Sequence, residues 1–131
     1  GELPLVKCFL GQLNQVFMNL LANSIDALEE SNQGREFADI KANPNRITIK
    51  TQVSEDNQSV VIWIKDNGKG MSESVQCQIF DPLFTTKSIG KGTGLGLSIS
   101  RQIVEEMHRG SLTCTSILGQ GSEFAIALPI E

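Results

Sequence analysis

Residues 90–96 read Gly-Lys-Gly-Thr-Gly-Leu-Gly, four glycines with a single residue between each. Glycine loses more backbone freedom on folding than any other residue, roughly 0.5–1 kcal/mol relative to alanine in a regular element. Such density is expected where bare backbone must come close to something a side chain would block. The periodic segment that follows predicts a helix, and a helix N-terminus exposes unpaired N–H groups and a partial positive charge, which together hold phosphate. Lys91 and Thr93 can add donors. The spacing is neither GxxxxGK followed by Ser or Thr, nor GxGxxG after a strand. A flexible hinge is the competing reading of such a loop.

Two further groups carry chemistry. Gln12, Gln15, Asn19, Asn23 and Asp26 fall on one side of a predicted helix. A solvated face is the ordinary reading of such a stripe, but it favours Lys, Glu or Arg, and each mid-helix Asn costs roughly half a kcal/mol against Ala. Asn19 and Asn23 stand four apart, so their amides lie on the same side. An amide oxygen is a neutral ligand suited to a hard Mg²⁺ that nucleotide phosphates already carry. The stretch IWIKDNGKGM, residues 62–71, ends a strand at Asp66 and enters a turn holding Gly68 and Gly70. A carboxylate there, at the mouth of a pocket, can accept the exocyclic amine of adenine. An ordinary strand exit has the same residues.

The elements that must position these groups are legible from periodicity. Leu13, Val16, Phe17, Leu20, Leu21, Ile25 and Leu28 recur at helical spacing and predict an amphipathic helix over residues 11–31. ITIKTQV and SVVIWIKD alternate apolar and polar residues and predict an antiparallel strand pair. Residues 68–94 lack long periodicity and predict an irregular loop, with a short helix near Glu73–Ile79. LGLSISRQIVEEMH predicts a second helix with Leu95, Ile99, Ile103 and Met107 on one face. SLTCTSI and SEFAIALPI predict two more strands around the turn LGQG. Helices among antiparallel strands imply an α/β (α+β) two-layer sandwich.

Composition bounds the function. The 131 residues suit one domain, and a net charge of −4 gives no general attraction for nucleic acid. No apolar run approaches a membrane span, and the N-terminus lacks the pattern of a signal peptide. Cys8, Cys77 and Cys114 are odd in number and form no CxxC pair, so each is expected to act as a small buried or half-buried apolar residue in a reducing compartment.

These motifs, in this order, resemble the ATP-binding catalytic domain of sensor histidine kinases, whose superfamily includes DNA gyrase, mismatch-repair ATPases and a heat-shock chaperone. NQVFMNLLANSIDAL resembles the family's asparagine box, DNGKGM its first glycine box, IFDPLFTTK its phenylalanine box, GKGTGLGLSI its second glycine box and GQGSEFAIALP its closing strand motif. The resemblance covers nearly the whole chain and implies the sandwich of that superfamily, a mixed, mostly antiparallel sheet on helices. It implies a single catalytic domain over residues 1–131, with the dimerisation domain that bears the phosphoacceptor histidine absent from it and an ATP lid over about 68–94. It implies transfer of the γ-phosphoryl group of Mg-ATP to that histidine, a response regulator downstream, and a cytoplasmic domain that is monomeric in isolation. Asn23 would coordinate Mg²⁺, with Asn19 beside it near the phosphates. Asp66 would bind the adenine amine, Gly68 and Gly70 would pass under the base, and Ser122 would support the adenine end. Gly92, Thr93, Gly94, Leu95 and Gly96 would wrap the phosphates.

Two departures from the family pattern matter, Asp26 and the missing acceptor histidine, and Asn19 separates the activities within the superfamily. Asp26 stands where many members carry Lys or Arg, which leaves Lys87 or Lys91 to supply a cation. Asn19 stands where gyrase-like ATPases carry the Glu that activates water, and an amide is no general base. This favours transfer over the alternatives, a superfamily ATPase or serine kinase, or a nucleotide-sensing module without transfer. The single histidine, His108, is expected to be a surface or helix-terminus residue and not a phosphoacceptor. Ile79, Phe80, Leu83 and Phe84 crowd apolar surface onto the expected lid, and Phe80 and Phe84 are expected to help dock the acceptor domain.

Overall fold

The computed structural model describes residues 3–32, 36, 44–81 and 96–130. Helix α1 spans Leu10–Ser31, strands β1 and β2 span Ile47–Val53 and Ser59–Asp66, and the short α2 spans Glu73–Gln76. Helix α3, Gly96–Gln102, runs into a π-helical turn at Ile103–Met107, and β3, Ser111–Ile117, and β4, Gly121–Pro129, follow. The strands form one sheet in the order β1-β2-β4-β3 with every described pairing antiparallel. Helices α1 and α3 cover one face of it, which gives the expected two-layer sandwich. The central pair β2–β4 joins strands far apart in sequence, so local periodicity could not announce it.

Period-two alternation sets the two faces of the sheet. Val60, Ile64, Leu112, Phe124, Ile126 and Leu128 point to the helices and are buried. On the opposite face Lys50 and Trp63 are paired in register, and the Lys50 ammonium stands 5.1 Å from the centre of the indole ring. From α1 the ridge Val16, Leu20, Ser24 and Leu28 enters the core at four-residue steps. Ser24 therefore takes the inward place that hydropathy assigns to Ile25, and Ile25 is half exposed.

The second helix departs from its expected phase at the π turn. There the i→i+5 spacing brings His108 back under Ile103 in the place where a regular helix would bring Met107. Met107 is consequently exposed, while Val104 and His108 are buried. His108 is thus a helix-terminus residue but not a surface one. Its Nδ1 lies 2.9 Å from the Ile103 carbonyl, and its Nε2 accepts the Phe9 N–H at 2.9 Å. The two bonds together select the tautomer with the proton on Nδ1. The imidazole meets the Phe9 ring edge-on at 5.7 Å, so it clasps the segment that leads into α1 against the end of the second helix. Arg109 takes the left-handed conformation, φ 56°, and the Gly110 N–H closes the helix end on the Val104 carbonyl.

Other expectations are corrected by burial. Ile79, assigned to the lid cluster, is part of the core, and Phe80 is half-buried with the Arg101 guanidinium 4.7 Å from its ring centre. Leu83 and Phe84 lie outside the described residues. Cys8 and Cys77 are exposed, and only Cys114 is half-buried. Burial, with a smaller contribution from the charge of Asp66, pushes the Cys114 thiol up to about 12, so it stays protonated and unreactive. Among the described residues no helix is long and apolar enough to cross a membrane.

Replacing His108 by Ala removes the partner of two backbone groups at once. His108→Ala is expected to cost about 1–3 kcal/mol of stability. His108→Gln should recover part of that loss, because an amide can donate to one group and accept from the other. Urea midpoints of the three proteins check this.

Candidate functional site

One end of the sandwich is polar where the rest of its interior is apolar. Along β2 the inward residues run Val60, Ile62, Ile64 and then Asp66. In the register of the sheet Asp66 faces Ser122, and Ser122 faces Ser116. Three polar side chains therefore sit abreast on neighbouring strands, at the positions where the alternation would place apolar ones. The hydroxyls of Ser116 and Ser122 are 2.8 Å apart, and that of Ser116 donates to the Gly121 carbonyl. Helix α1 crosses above this end. A cavity opens there, walled by Asn23 and Asp26 from the helix and by Asp66, Gly70, Met71 and Ser122 from the sheet side.

Asp66 is 2% exposed. Desolvation holds its carboxyl above the usual carboxylate range, against the Gly68 N–H and the Ser122 backbone, which hydrogen-bond it, and the nearby Ser24 hydroxyl, all of which favour the charge. The Gly68 N–H bond to Oδ1 measures 2.9 Å. A Cβ on Gly68 would stand 3.0 Å from both that oxygen and the Ala27 carbonyl, which leaves the turn little room for a side chain. Gly70 is more constrained. Its φ is +69°, and a Cβ there would meet the Ile117 carbonyl oxygen at 2.1 Å. Backbone contact with the β3–β4 turn, including the Gly119 N–H bond to the Lys69 carbonyl, fixes the floor of the cavity.

The segment after Gly70 is tied to β3. The Met71 N–H donates to the Ser116 hydroxyl at 2.8 Å, and the Gln76 amide donates to the Met71 and Ser116 carbonyls. Residues 68–81 are the expected irregular segment with one short helix, α2, and these bonds make its first part, Lys69, Gly70 and Met71, a fixed piece of the cavity wall. Lys87, Lys91, Gly92, Thr93, Gly94 and Leu95 lie outside the described residues.

The structure separates the two asparagines. Asn23 lines the cavity. Asn19, one turn earlier, instead braces the start of α3, where its amide donates to the Gly96 carbonyl at 3.3 Å and to the Ser100 hydroxyl at 3.2 Å. The buried Ser100 hydroxyl donates in turn to the Gly96 carbonyl. Gly96 is thereby held at the helix start, against the residue one turn before Asn23. Among the cavity residues that the motif reading did not single out, Glu30 and Lys69 are charged, and they pair with each other. The residue that sequence reading missed most clearly is Ser24, buried on the core ridge beside Asp66.

The oxygen donors here suit a hard cation. Asn23 offers an amide oxygen and Asp26 a carboxylate at the cavity wall. Among the described residues no cluster of three or more His, Cys, Asp or Glu could hold a metal by itself. This donor set fits Mg²⁺, which is commonly bound by one or two protein oxygens together with nucleotide phosphates.

The sequence model of the family described as histidine kinase-, DNA gyrase B-, and HSP90-like ATPase matches residues 10–131. The chain belongs to this family. It is similar to sporulation kinase E of Bacillus subtilis, with 37% identity over 99% of the chain and 15% of that protein. It is similar to the signal transduction histidine-protein kinase AtoS of Escherichia coli, with 39% identity over 100% of the chain and 19% of that protein. The chain therefore spans less than a fifth of the length of these relatives. Among solved structures it resembles the catalytic domain of histidine kinase ThkA in a nucleotide-free form, with a TM-score of 0.72, 30% identity, and coverage of 95% of this chain and 71% of that one. The chain is an ATP-binding catalytic domain of the histidine kinase type, and ATP is the ligand of its fold.

The buried charge of Asp66 generates a stability prediction. Because its carboxyl is raised in the folded state, the native protein carries a desolvation cost above that value. The cost is relieved as pH falls through it. Asp66→Asn, which keeps the shape without the charge, is expected to melt as high as the parent or a few degrees higher at pH 8, a shift on the order of 1 kcal/mol or less. The difference should shrink towards pH 4. Thermal melts of both proteins across that range are the check.

Proposed function

We propose that this domain binds Mg-ATP and donates its γ-phosphoryl group to a histidine on a separate helical dimerisation domain, from which a response regulator is then phosphorylated. On this reading residues 1–131 are one cytoplasmic catalytic domain, monomeric in isolation, with the acceptor histidine elsewhere. Asp66 accepts the adenine amine, Gly68 and Gly70 let the chain pass under the base, and Ser122 supports the adenine end. Asn23 holds Mg²⁺, with Gly96 at the phosphate end of the site. When bound, Mg²⁺ neutralises charge on the phosphates. The protein's share of catalysis is to position the nucleotide and exclude water.

The observation that carries the reading of transfer over hydrolysis is Asn19. It occupies the position from which gyrase-like ATPases activate water. Here the residue is an amide, and its nitrogen is committed to the Gly96 carbonyl and the Ser100 hydroxyl. No described general base is aimed into the cavity from that position, so a bound nucleotide awaits an external acceptor.

Incubating the domain with γ-labelled ATP and the histidine-bearing helical domain of the same protein tests this directly. Acid-labile phosphate on the added domain is the expected result, and rapid release of inorganic phosphate without labelling would refute it. Asn23→Ala should reduce labelling by at least about tenfold. Its far-ultraviolet dichroism and melting point should stay those of the parent, since Ala has the higher helix propensity. Unchanged labelling by a folded Asn23→Ala protein would remove Asn23 from the metal site.

A further inference from the structure

Ser24 is fully buried, and its hydroxyl makes no well-formed hydrogen bond to any protein atom. A buried hydroxyl without a partner is destabilising, because the hydration it gives up is not replaced. Serine inside a helix ordinarily satisfies itself on the carbonyl four residues back, and Ser24 does not. Its neighbours on the same ridge, Leu20 and Leu28, are apolar. An alanine would therefore pack at this position without any polar cost. Ser24 does not line the cavity, so it does not touch a ligand there. The turn of α1 that carries Ser24 stands over the Asp66 carboxylate: one point above Gly68 lies 3.0 Å from both the Ala27 carbonyl oxygen, three residues on from Ser24, and Asp66 Oδ1, and the hydroxyl is close enough to favour the charged form.

We propose that Ser24 is a positioning residue for base recognition: from the helix side its hydroxyl donates to the Asp66 carboxylate and fixes which oxygen faces the cavity. The proposal rests on the reading in which Asp66 accepts the adenine amine. An ionised carboxylate offers about four acceptor positions and no donor. The Gly68 N–H occupies one of them on Oδ1 from the turn. A donor from α1 holds the carboxylate on a second side, which leaves an outward lone pair for an amino group. The hydroxyl gains its missing partner when Asp66 is drawn into that orientation by a bound amine. The burial cost of Ser24 in the free protein is then returned on binding, and only a base that bears the amine collects it.

Calorimetric affinities for ATP and for purine riboside triphosphate, which lacks the 6-amino group, test this on the parent, Ser24→Ala, Asp66→Asn and the double variant. Ser24→Ala is expected to melt no lower than the parent, to bind ATP roughly 3- to 10-fold more weakly, and to bind the amine-free analogue as the parent does. In the Asp66→Asn background it should have no further effect on ATP, the non-additivity of two groups acting as one. Equal loss for both nucleotides, no loss, or additivity with Asp66→Asn overturns the role of Ser24. If Ser24→Ala does not fold, Ser24→Cys keeps a similar volume with a weaker donor, and the same criteria apply. A parent protein that binds the two nucleotides equally well would overturn the reading of Asp66, and with it the proposal. A parent preference for ATP that Ser24→Ala leaves intact overturns the proposal alone.

Discussion

A carboxylate held out of water at the end of the central strand is the constraint around which this domain is arranged. Asp66 continues the inward row of β2 beyond the point where the apolar core stops. A charge in that position is tolerable only if donors surround it. The Gly68 N–H and the backbone of Ser122 meet that need, and each makes its own demand on the fold. The first requires the chain to double back directly after the strand, in a turn with almost no room for a Cβ. The second requires β4 to lie beside β2 in a register that sets Ser122 opposite Asp66. The long-range pairing at the centre of the sheet and the glycine turn at its edge are thus tied to one buried group.

The same constraint divides the helix layer. Where α1 passes over Phe124, Ile126 and Ile64 it contributes Val16 and Leu20, and the contact is a close-packed apolar core. One turn further on it passes over Asp66 and contributes Ser24, with Asn23 beside it on the cavity wall. One helix therefore supplies core at its first half and site at its second. The rigidity of the first half fixes the placement of the second to within the tolerance of a packed interior.

Most of the architecture was legible because its signals are local. Period-two alternation marked β1 and β2, the turn LGQG set off β3 and β4, and the helical spacing of Leu13, Val16, Leu20 and Leu28 marked α1. Asp66, Gly70, Asn23 and Ser122 were legible as a set through motif order, and they meet at one cavity. What escaped is what only tertiary contact decides. Hydropathy placed Ile25 inside and gave no reason to look at Ser24, because burial follows helix phase and not residue type. A π turn is invisible to a 3.6-residue period, so Met107 was put on the face that His108 occupies. Residues 68–81 lack periodicity because side-chain and backbone bonds to β3, rather than a repeating pattern, hold them.

The two departures in the helices, Asn19 and His108, have a common consequence. The first clasps α1 to the start of α3 through Gly96 and Ser100. The second clasps the segment entering α1 to the end of the π turn through Phe9 and Ile103. The second helix is therefore hydrogen-bonded to α1 or its lead-in at both of its ends, in addition to its apolar contacts. Apolar packing fixes how the two helices interdigitate. Hydrogen bonds at both ends add a directional constraint to that contact. Gly96 follows the glycine run and Asn19 lies one helical turn before Asn23, so the clasp at Asn19 ties the start of α3 to the part of α1 that carries the proposed metal ligand. An amide is suited to that task because it donates to two acceptors at once, whereas a carboxylate there could only accept. The amide that stands where hydrolysis would need a base thus braces the two helices that frame the proposed site.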